Sequence, residues 1–459
     1  MDNNYLDSLI KKQRDYYNTG ESRSIAFRRD MLTKLKNAVI SNEEKILAAL
    51  TEDLRKPAFE SYTSEIGFII TEIKIALKNL NKWTRDKKVR GNILIFPSRN
   101  YIVSEPYGVA LIIGPWNYPF QLTLAPLIGA MAAGNCCVIK PSEIAKASSA
   151  AIKEIIENTF DQNYIAVVEG DAEVAGALLE QRFDKIFFTG SPKVGRIVME
   201  KASKNLTPIT LELGGKNPCI VDQGVNLDLT AKRIVWGKFF NAGQTCIAPD
   251  YLLANSAVKE ELYVRMVKYL DLFYGEDHKK SPDYGRIINN SHFKRLQGYL
   301  SSGKIIAGGE LDENELFIAP TILEVSNANS QIMREEIFGP ILPVMEYDSY
   351  EEAELIVNQN PTPLAFYLFS SNPEAIDRFT RHIPFGGGSV NDTLSHILNV
   401  NLPFGGRNTS GIGSYRGEYS FKAFSHQKSL MVKGFGFDAR FKYPPYQKIH
   451  RAIKKFLLR

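Results

Sequence analysis

Apolar positions in the first 85 residues recur at helical spacing. Met31, Leu35, Val39, Ile46, Leu47 and Leu50 are spaced for the stripe that a helix buries against a core. Ser41-Asn42-Glu43-Glu44 supplies a start signal within this arm, a capping side chain followed by acids. The arm is expected to end near Trp83. Two short runs, 92–96 and 101–104, flank Pro97-Ser98-Arg99-Asn100 and read as a hairpin that can reach a partner subunit. From Gly108 the pattern alternates. Strands are expected at Val109–Ile113, Cys136–Ile139, Ile165–Glu169 and Lys185–Phe188, with helices at Pro119–Ala133, Ser148–Thr159 and Val174–Glu180. The run from Ile209 to Asn391 repeats the style, with a helix at Leu227–Phe240. Strands interleaved with helices imply parallel α/β sheets, with ligands at the carboxyl ends of the strands. No internal repeat or low-complexity linker interrupts the chain.

The length of 459 residues exceeds one hydrophobic core and points to two or three domains. A formal charge of +5 is mild at this size, and no basic-aromatic run suggests a nucleic-acid groove. The four cysteines, Cys136, Cys137, Cys219 and Cys246, form no C-x-x-C pair, so no metal site is expected. The polar start Met1-Asp2-Asn3-Asn4 lacks the pattern of a secretory signal, and reduced thiols in a cytoplasmic protein are expected. The apolar stretch from Gly108 to Ile139 is broken by Pro115, Asn117, Pro119, Gln121 and Pro126, so it reads as buried strands and a helix, not a membrane span.

Candidate chemistry concentrates in a few segments. Asn241-Ala242-Gly243-Gln244-Thr245-Cys246 puts one cysteine on a glycine-containing turn behind a helix. A free cysteine is more often an inert buried residue than a nucleophile. Leu211-Glu212-Leu213-Gly214-Gly215-Lys216-Asn217-Pro218 carries a lone carboxylate in an apolar run, either a general base or a solvent-facing group on an edge strand. Asn117, in Gly114-Pro115-Trp116-Asn117-Tyr118-Pro119, stands before a helix as an oxyanion donor or an ordinary N-cap. Lys140-Pro141-Ser142-Glu143 follows a strand, and Glu143 could serve a ligand or cap the next helix. Phe188-Thr189-Gly190-Ser191-Pro192-Lys193-Val194-Gly195 places glycine and a hydroxyl at a helix start, which suits a phosphate, but it is no G-x-G-x-x-G. Glu335-Glu336-Ile337-Phe338-Gly339-Pro340 and Leu402-Pro403-Phe404-Gly405-Gly406 complete the set.

Together, in this order, these segments resemble the NAD(P)-dependent aldehyde dehydrogenase superfamily. The short N-terminus and Lys442-Tyr443-Pro444-Pro445-Tyr446 resemble its class 3 branch. The resemblance implies a Rossmann-like NAD(P)-binding domain (1–85 and 108–210) and an α/β catalytic domain (211–393). It also implies a small β bridging, or oligomerisation, element (86–107 and 394–425). It makes Cys246 the nucleophile that forms a thiohemiacetal and then a thioester, Glu212 the base for hydrolysis, and Asn117 the oxyanion donor with the Cys246 N–H. To cofactor binding it assigns Pro115, Trp116, Lys140, Glu143, Gly190, Ser191, Gly195, Leu213, Gly214, Glu336 and Phe338. Either NAD or NADP is implied, with a small-molecule aldehyde as substrate, aromatic or medium- to long-chain aliphatic, and a homodimer as the assembly. Tyr62, Tyr118 and Phe404 stand near the motifs as substrate-wall candidates. A CoA-acylating relative commonly lacks the base at Glu212, and a non-catalytic protein would not need all three groups. The tail from 426 is basic and reads as a helix with Tyr446, Ile449, Ile453 and Phe456 on one face. It is expected to pack on protein in preference to a membrane surface, and it stops at Arg459, too soon for a span.

Overall fold

The computed structural model describes residues 3–92, 95–438 and 442–446. The chain forms two compact units. The large unit comprises 1–83 and 106–425, and the small one is drawn from 84–105 and 426–459.

The large unit holds two sheets. In the first, the strands lie in the order Gly411–Ile412, Ile209–Glu212, Lys185–Thr189, Val109–Ile113, Cys136–Lys140 and Ile165–Val167. All neighbours are parallel except the Gly411–Ile412 edge. Val109–Ile113, Cys136–Lys140, Ile165–Val167 and Lys185–Thr189 are buried along their whole length. This is why they read as continuous apolar runs and not as alternation. The order reverses between Val109–Ile113 and Lys185–Thr189. The loops leaving the carboxyl ends there diverge and open a crevice. Helix Gln121–Ala133 is buried on every side, as an apolar circumference requires. Among the described residues no helix is long and apolar enough to cross a membrane.

The second sheet runs Lys304–Ala307, Thr321–Glu324, Ile341–Tyr347, Tyr251–Asn255, Pro218–Val221, Ala365–Phe369 and Gly387–Val390. It is parallel apart from its first pair.

The small unit contains a three-stranded sheet of Lys87–Val89, Arg99–Pro106 and Ser425–Val432. Three expectations change here. Of the strand expected at 92–96, residues 93 and 94 lie outside the described residues and Asn92, Ile95 and Phe96 are not in a strand; the Ile95 N–H bonds to the Asn92 carbonyl, and Lys87–Val89 pairs with Arg99–Pro106 instead. Apolar content alone does not distinguish a turn from a strand over so few residues. Residues 394–425 belong to the large unit, where Phe404 and Tyr415 are buried. The segment from 426 begins as strand, and the expected tail helix, with Ile449, Ile453 and Phe456, lies outside the described residues.

Candidate active site

Three loops leave the carboxyl ends of the first sheet side by side: 114–120, Gly190–Ser191 and 213–215. Facing them, from the half of the large unit built on the second sheet, are the turn before Cys246, the segment 335–338 and helix Asn290–Tyr299. They enclose a cavity of about 260 Å³. Its wall includes Pro115, Trp116, Asn117, Thr189, Gly190, Ser191, Glu212, Leu213, Gly214, Cys246, His292, Arg295, Glu336, Phe338 and Tyr415.

The cysteine stands on an unusual turn. Asn241, Ala242 and Gly243 have φ of 55°, 51° and 71°. A non-glycine residue in this region costs roughly 1–3 kcal/mol, so the surroundings must over-determine it. Gln244 does much of this. Its side-chain NH2 donates to the carbonyls of Arg286 at 2.9 Å and Asn241 at 3.2 Å. Its side-chain oxygen accepts the Ile288 N–H at 3.0 Å. The Asn241 amide donates to the Asn117 carbonyl at 3.1 Å, and the Asn117 amide donates to the Gln244 carbonyl at 2.9 Å. Glycine is required at 243, since a Cβ would lie 2.3 Å from the Gly339 carbonyl oxygen. Beyond the turn, Asn217 Nδ2 donates to the Cys246 carbonyl at 2.7 Å. Cys246 and the Asn117 amide are thus held by one hydrogen-bond network.

Burial controls the ionisable groups. It pushes the Cys246 thiol up to about 12, with Glu336 and then Glu212 adding like charge. Glu212 is raised well above the usual carboxylate range by burial, and neither carboxylate oxygen has a hydrogen-bond partner. Thr189 lies abreast of Glu212 on the adjoining strand. The Thr189 and Tyr415 hydroxyls are also buried and unpartnered. Three unsatisfied polar groups on one cavity wall suit a bound water, which needs two to four partners. Burial also raises Glu336, to about 8, despite the Gly215 N–H at 3.3 Å. Its carboxylate lies over Gly214, where a Cβ would come within 2.1 Å of Oε2.

A second cavity, of about 270 Å³, lies on the other side of the cysteine. Phe59, Phe68, Tyr118, Trp236, Phe240, Ile247, Leu394, Ile397 and Leu398 line it, with Thr63, Ser64 and Thr245 among them. The hydroxyls of Thr63, Ser64, Tyr118 and Thr245 are bonded. Thr63 donates to the Phe59 carbonyl at 2.7 Å, Ser64 to the Glu60 carbonyl at 2.6 Å, and Tyr118 and Thr245 share a bond of 2.6 Å. The wall therefore presents mostly apolar surface. Leu122, Cys246 and Phe404 belong to both cavities.

The family model for the aldehyde dehydrogenase family matches residues 1–430. The chain belongs to the aldehyde dehydrogenase family. It is 47% identical over 455 residues to 4,4'-diaponeurosporen-aldehyde dehydrogenase of Staphylococcus aureus, with 99% of each chain covered. It is 45% identical to aldehyde dehydrogenase family 3 member B1 of Rattus norvegicus, covering 96% of this chain and 95% of that one. A solved structure of the substrate-bound state of Staphylococcus aureus AldH superposes with a TM-score of 0.97 at 47% identity, covering 98% of this chain and 99% of that one. The glyceraldehyde-3-phosphate dehydrogenase GapN of Methanocaldococcus jannaschii, solved with NADP, gives 0.85 at 26% identity, covering 94% of this chain and 95% of that one. These relatives place the chain in the class 3 branch, an NAD(P)-linked aldehyde oxidoreductase.

Against the family's motifs, most of the residues singled out from sequence converge on the first cavity. Lys140 and Glu143 do not line it. They pair with each other at the end of their strand, and the next helix takes its N-terminal bonds from Asp53, not Glu143. Gly195 also lies off the cavity and makes room for the Leu213 side chain, 2.6 Å from where a Cβ would be. Asn117 is no N-cap: the Gln121 N–H is taken by Glu65 at 2.7 Å. Glu212 is buried, with strands on both sides. Tyr62 is exposed and does not line the second cavity, whereas Tyr118 and Phe404 do. Sequence reasoning missed Thr189 and Tyr415 as neighbours of Glu212. It also missed His292 and Arg295, which come from a helix with no motif spacing. His292 meets the Trp116 ring at 5.0 Å, and Phe338 meets Trp116 at 5.2 Å with the two rings nearly perpendicular.

Proposed function

We propose that this protein oxidises an aldehyde with a large apolar body, aromatic or medium- to long-chain aliphatic, to its carboxylic acid with NAD(P)+ and water. The observation that carries this is the position of Cys246 on the wall common to two cavities, one reached by Glu212, Glu336 and Arg295 and one lined by no charged side chain. The first cavity suits a dinucleotide. Gly190 and Ser191 open helix Pro192–Ser203, whose positive dipole end suits phosphate. Arg295 adds a cation at the wall, and Gly214 leaves the space beside Glu336 that a side chain would fill. Pro115, Trp116, Leu213 and Phe338 frame the rest, and Lys140 with Glu143 extends the site along the strand ends. NAD(P)+ supplies the acceptor for the hydride of the aldehyde carbon.

The residues of this chain do the remainder. Cys246 Sγ adds to the carbonyl carbon, and its proton passes to solvent water, because the half-buried thiol is neutral at rest. The Asn117 amide, whose second N–H is left over from the bond to Gln244, and the Cys246 N–H serve as donors to the oxygen that becomes negative. After oxidation the acyl group is a thioester on Sγ. Ionised Glu212 takes a proton from water, the water oxygen adds to the acyl carbon, and as the C–S bond breaks the leaving thiolate recovers a proton from Glu212 and returns as the Cys246 thiol. The buried, unpartnered hydroxyls of Thr189 and Tyr415 support a role in holding that water near Glu212. The half of the large unit built on the first sheet serves the cofactor and the half built on the second serves catalysis. The small unit serves to bridge two copies as a homodimer. Four free cysteines fit a reducing, cytoplasmic setting.

The test is NAD(P)H formation with both cofactors across aldehydes from acetaldehyde to long-chain and aromatic compounds. Turnover without CoA that favours apolar substrates supports the reading. Turnover only with CoA assigns the acylating reaction, and no turnover under any condition defeats the enzymatic reading.

A further inference from the structure

Beside the apolar cavity lies a group of ionisable residues that the mechanism does not use: Lys56 and Glu65, both buried, and Glu60, half-buried. Lys56 and Glu65 pair at 3.0 Å with both side chains fully buried. Lys56 Nζ also stands 4.0 Å from the Tyr118 ring centre. Each carboxylate receives one backbone N–H from the catalytic machinery. Glu65 takes Gln121, which follows the Asn117 loop. Glu60 takes Asn241, the first residue of the left-handed turn, at 3.0 Å.

We propose that Glu60 is a positioning residue for the nucleophile: its ionised carboxylate holds the Asn241 N–H and thereby fixes the turn that presents Cys246 and the Asn117 amide. This deepens the proposed function and rests on it. Three successive positive-φ residues have few ways to stay in place, and Asn241 is the node of the network. Its side chain grips the carbonyls of Asn117 and Gln244, so slack at its N–H reaches both the cysteine loop and the oxyanion donor. Glu60 belongs to the short helix Ala58–Ser61, next to Phe59, Thr63 and Ser64 of the apolar cavity wall. The same carboxylate therefore joins the substrate wall to the nucleophile turn.

The charge on Glu60 is finely balanced. Burial pushes its carboxyl up to about 7; the Asn241 N–H and Lys56 oppose this, and Asp283 adds to it. Tyr118, Tyr274 and Tyr284 also face it and stay neutral, raised by burial. Glu65 is occupied by Lys56. An ionised acceptor makes a bond about twice as strong as a neutral one. As pH falls through about 7 the grip on Asn241 weakens.

The experiment is stopped-flow first-turnover NAD(P)H formation with saturating cofactor and aldehyde, in wild type and Glu60→Gln, from about pH 6 to about pH 8.5. Glutamine keeps an oxygen for the Asn241 N–H but cannot ionise. Cys246 and Glu212 titrate in both proteins and cancel in the ratio of rates. The expected ratio of wild type to variant is about tenfold at the alkaline end, the loss of a charge-assisted bond, converging towards one at the acid end, with cofactor Kd unchanged. A ratio that is one throughout, or constant with pH, overturns the proposal. If Glu60→Gln does not fold, Asp283→Asn replaces it. Removing that like charge moves the half-point of the wild-type pH profile downward, and an unmoved half-point overturns the proposal. A wild type with no first-turnover signal for any aldehyde defeats the parent reading and Glu60's role with it, whereas a normal wild-type signal with an unaltered ratio defeats Glu60's role alone.

Discussion

Glu336→Gln is expected to stabilise the cofactor-free protein at neutral pH while weakening its hold on NAD(P). The carboxylate stands at the wall of the first cavity, and burial raises it from 4.5 to about 8. The sign follows from proton binding. Below pH 4.5 the group is protonated whether the chain is folded or unfolded, so the fold bears no penalty. As pH rises the unfolded chain releases the proton first, and stability falls until about pH 8, where the folded group also ionises. At about pH 7 the gap is about 2.5 pH units, which at about 1.4 kcal/mol each gives roughly 3 kcal/mol as an upper bound, because the cavity admits water. Glutamine keeps the shape over Gly214 and an oxygen for the Gly215 N–H, and it removes that penalty. Denaturant midpoints for both proteins without cofactor, at about pH 4.5 and about pH 7.5, measure it. The variant should gain only at the higher pH. NAD(P) affinity, titrated separately, should fall about 10- to 100-fold, the loss of a hydrogen bond to a charged group. An equal effect on stability at both pH values would refute the burial argument, and unchanged affinity would remove Glu336 from the cofactor site.

Other outcomes follow from the same geometry. Asn117→Ala should lower kcat by roughly 10²- to 10³-fold through loss of an oxyanion donor; thermal denaturation should show a smaller accompanying loss, since the Gln244 carbonyl keeps only the Asn241 amide of its two donors. Glu212→Gln should leave a first-turnover burst of NAD(P)H and slow the steady state, because the amide cannot take the water's proton; equal slowing of both phases would count against its role as base. Lys56→Met should destabilise by about 3–5 kcal/mol in denaturant titrations, since Glu65 would be left as an unpaired buried charge.

Much of this architecture was legible in the chain. Val109–Ile113 appears where its unbroken apolar run placed it, because a strand covered on both faces needs no polar positions. The residues around Cys246, Glu212, Asn117 and Glu336 carry local backbone demands, a left-handed turn or a glycine under a carboxylate, and such demands leave motifs. Other features depended on distant segments meeting. Thr189 is an ordinary strand residue until sheet register sets it beside Glu212, and Tyr415 joins them from more than 200 residues away. His292 and Arg295 reach the cavity because their helix packs there, which spacing along the chain does not encode. Glu60 is one acid in a helical arm until the fold brings it to Asn241. Sequence determined the elements and the groups bound to special backbone shapes, because those are set by neighbouring residues. Only the tertiary structure decided which walls share the cysteine and which acids lose their water, because burial and proximity arise from contacts between segments far apart in the chain.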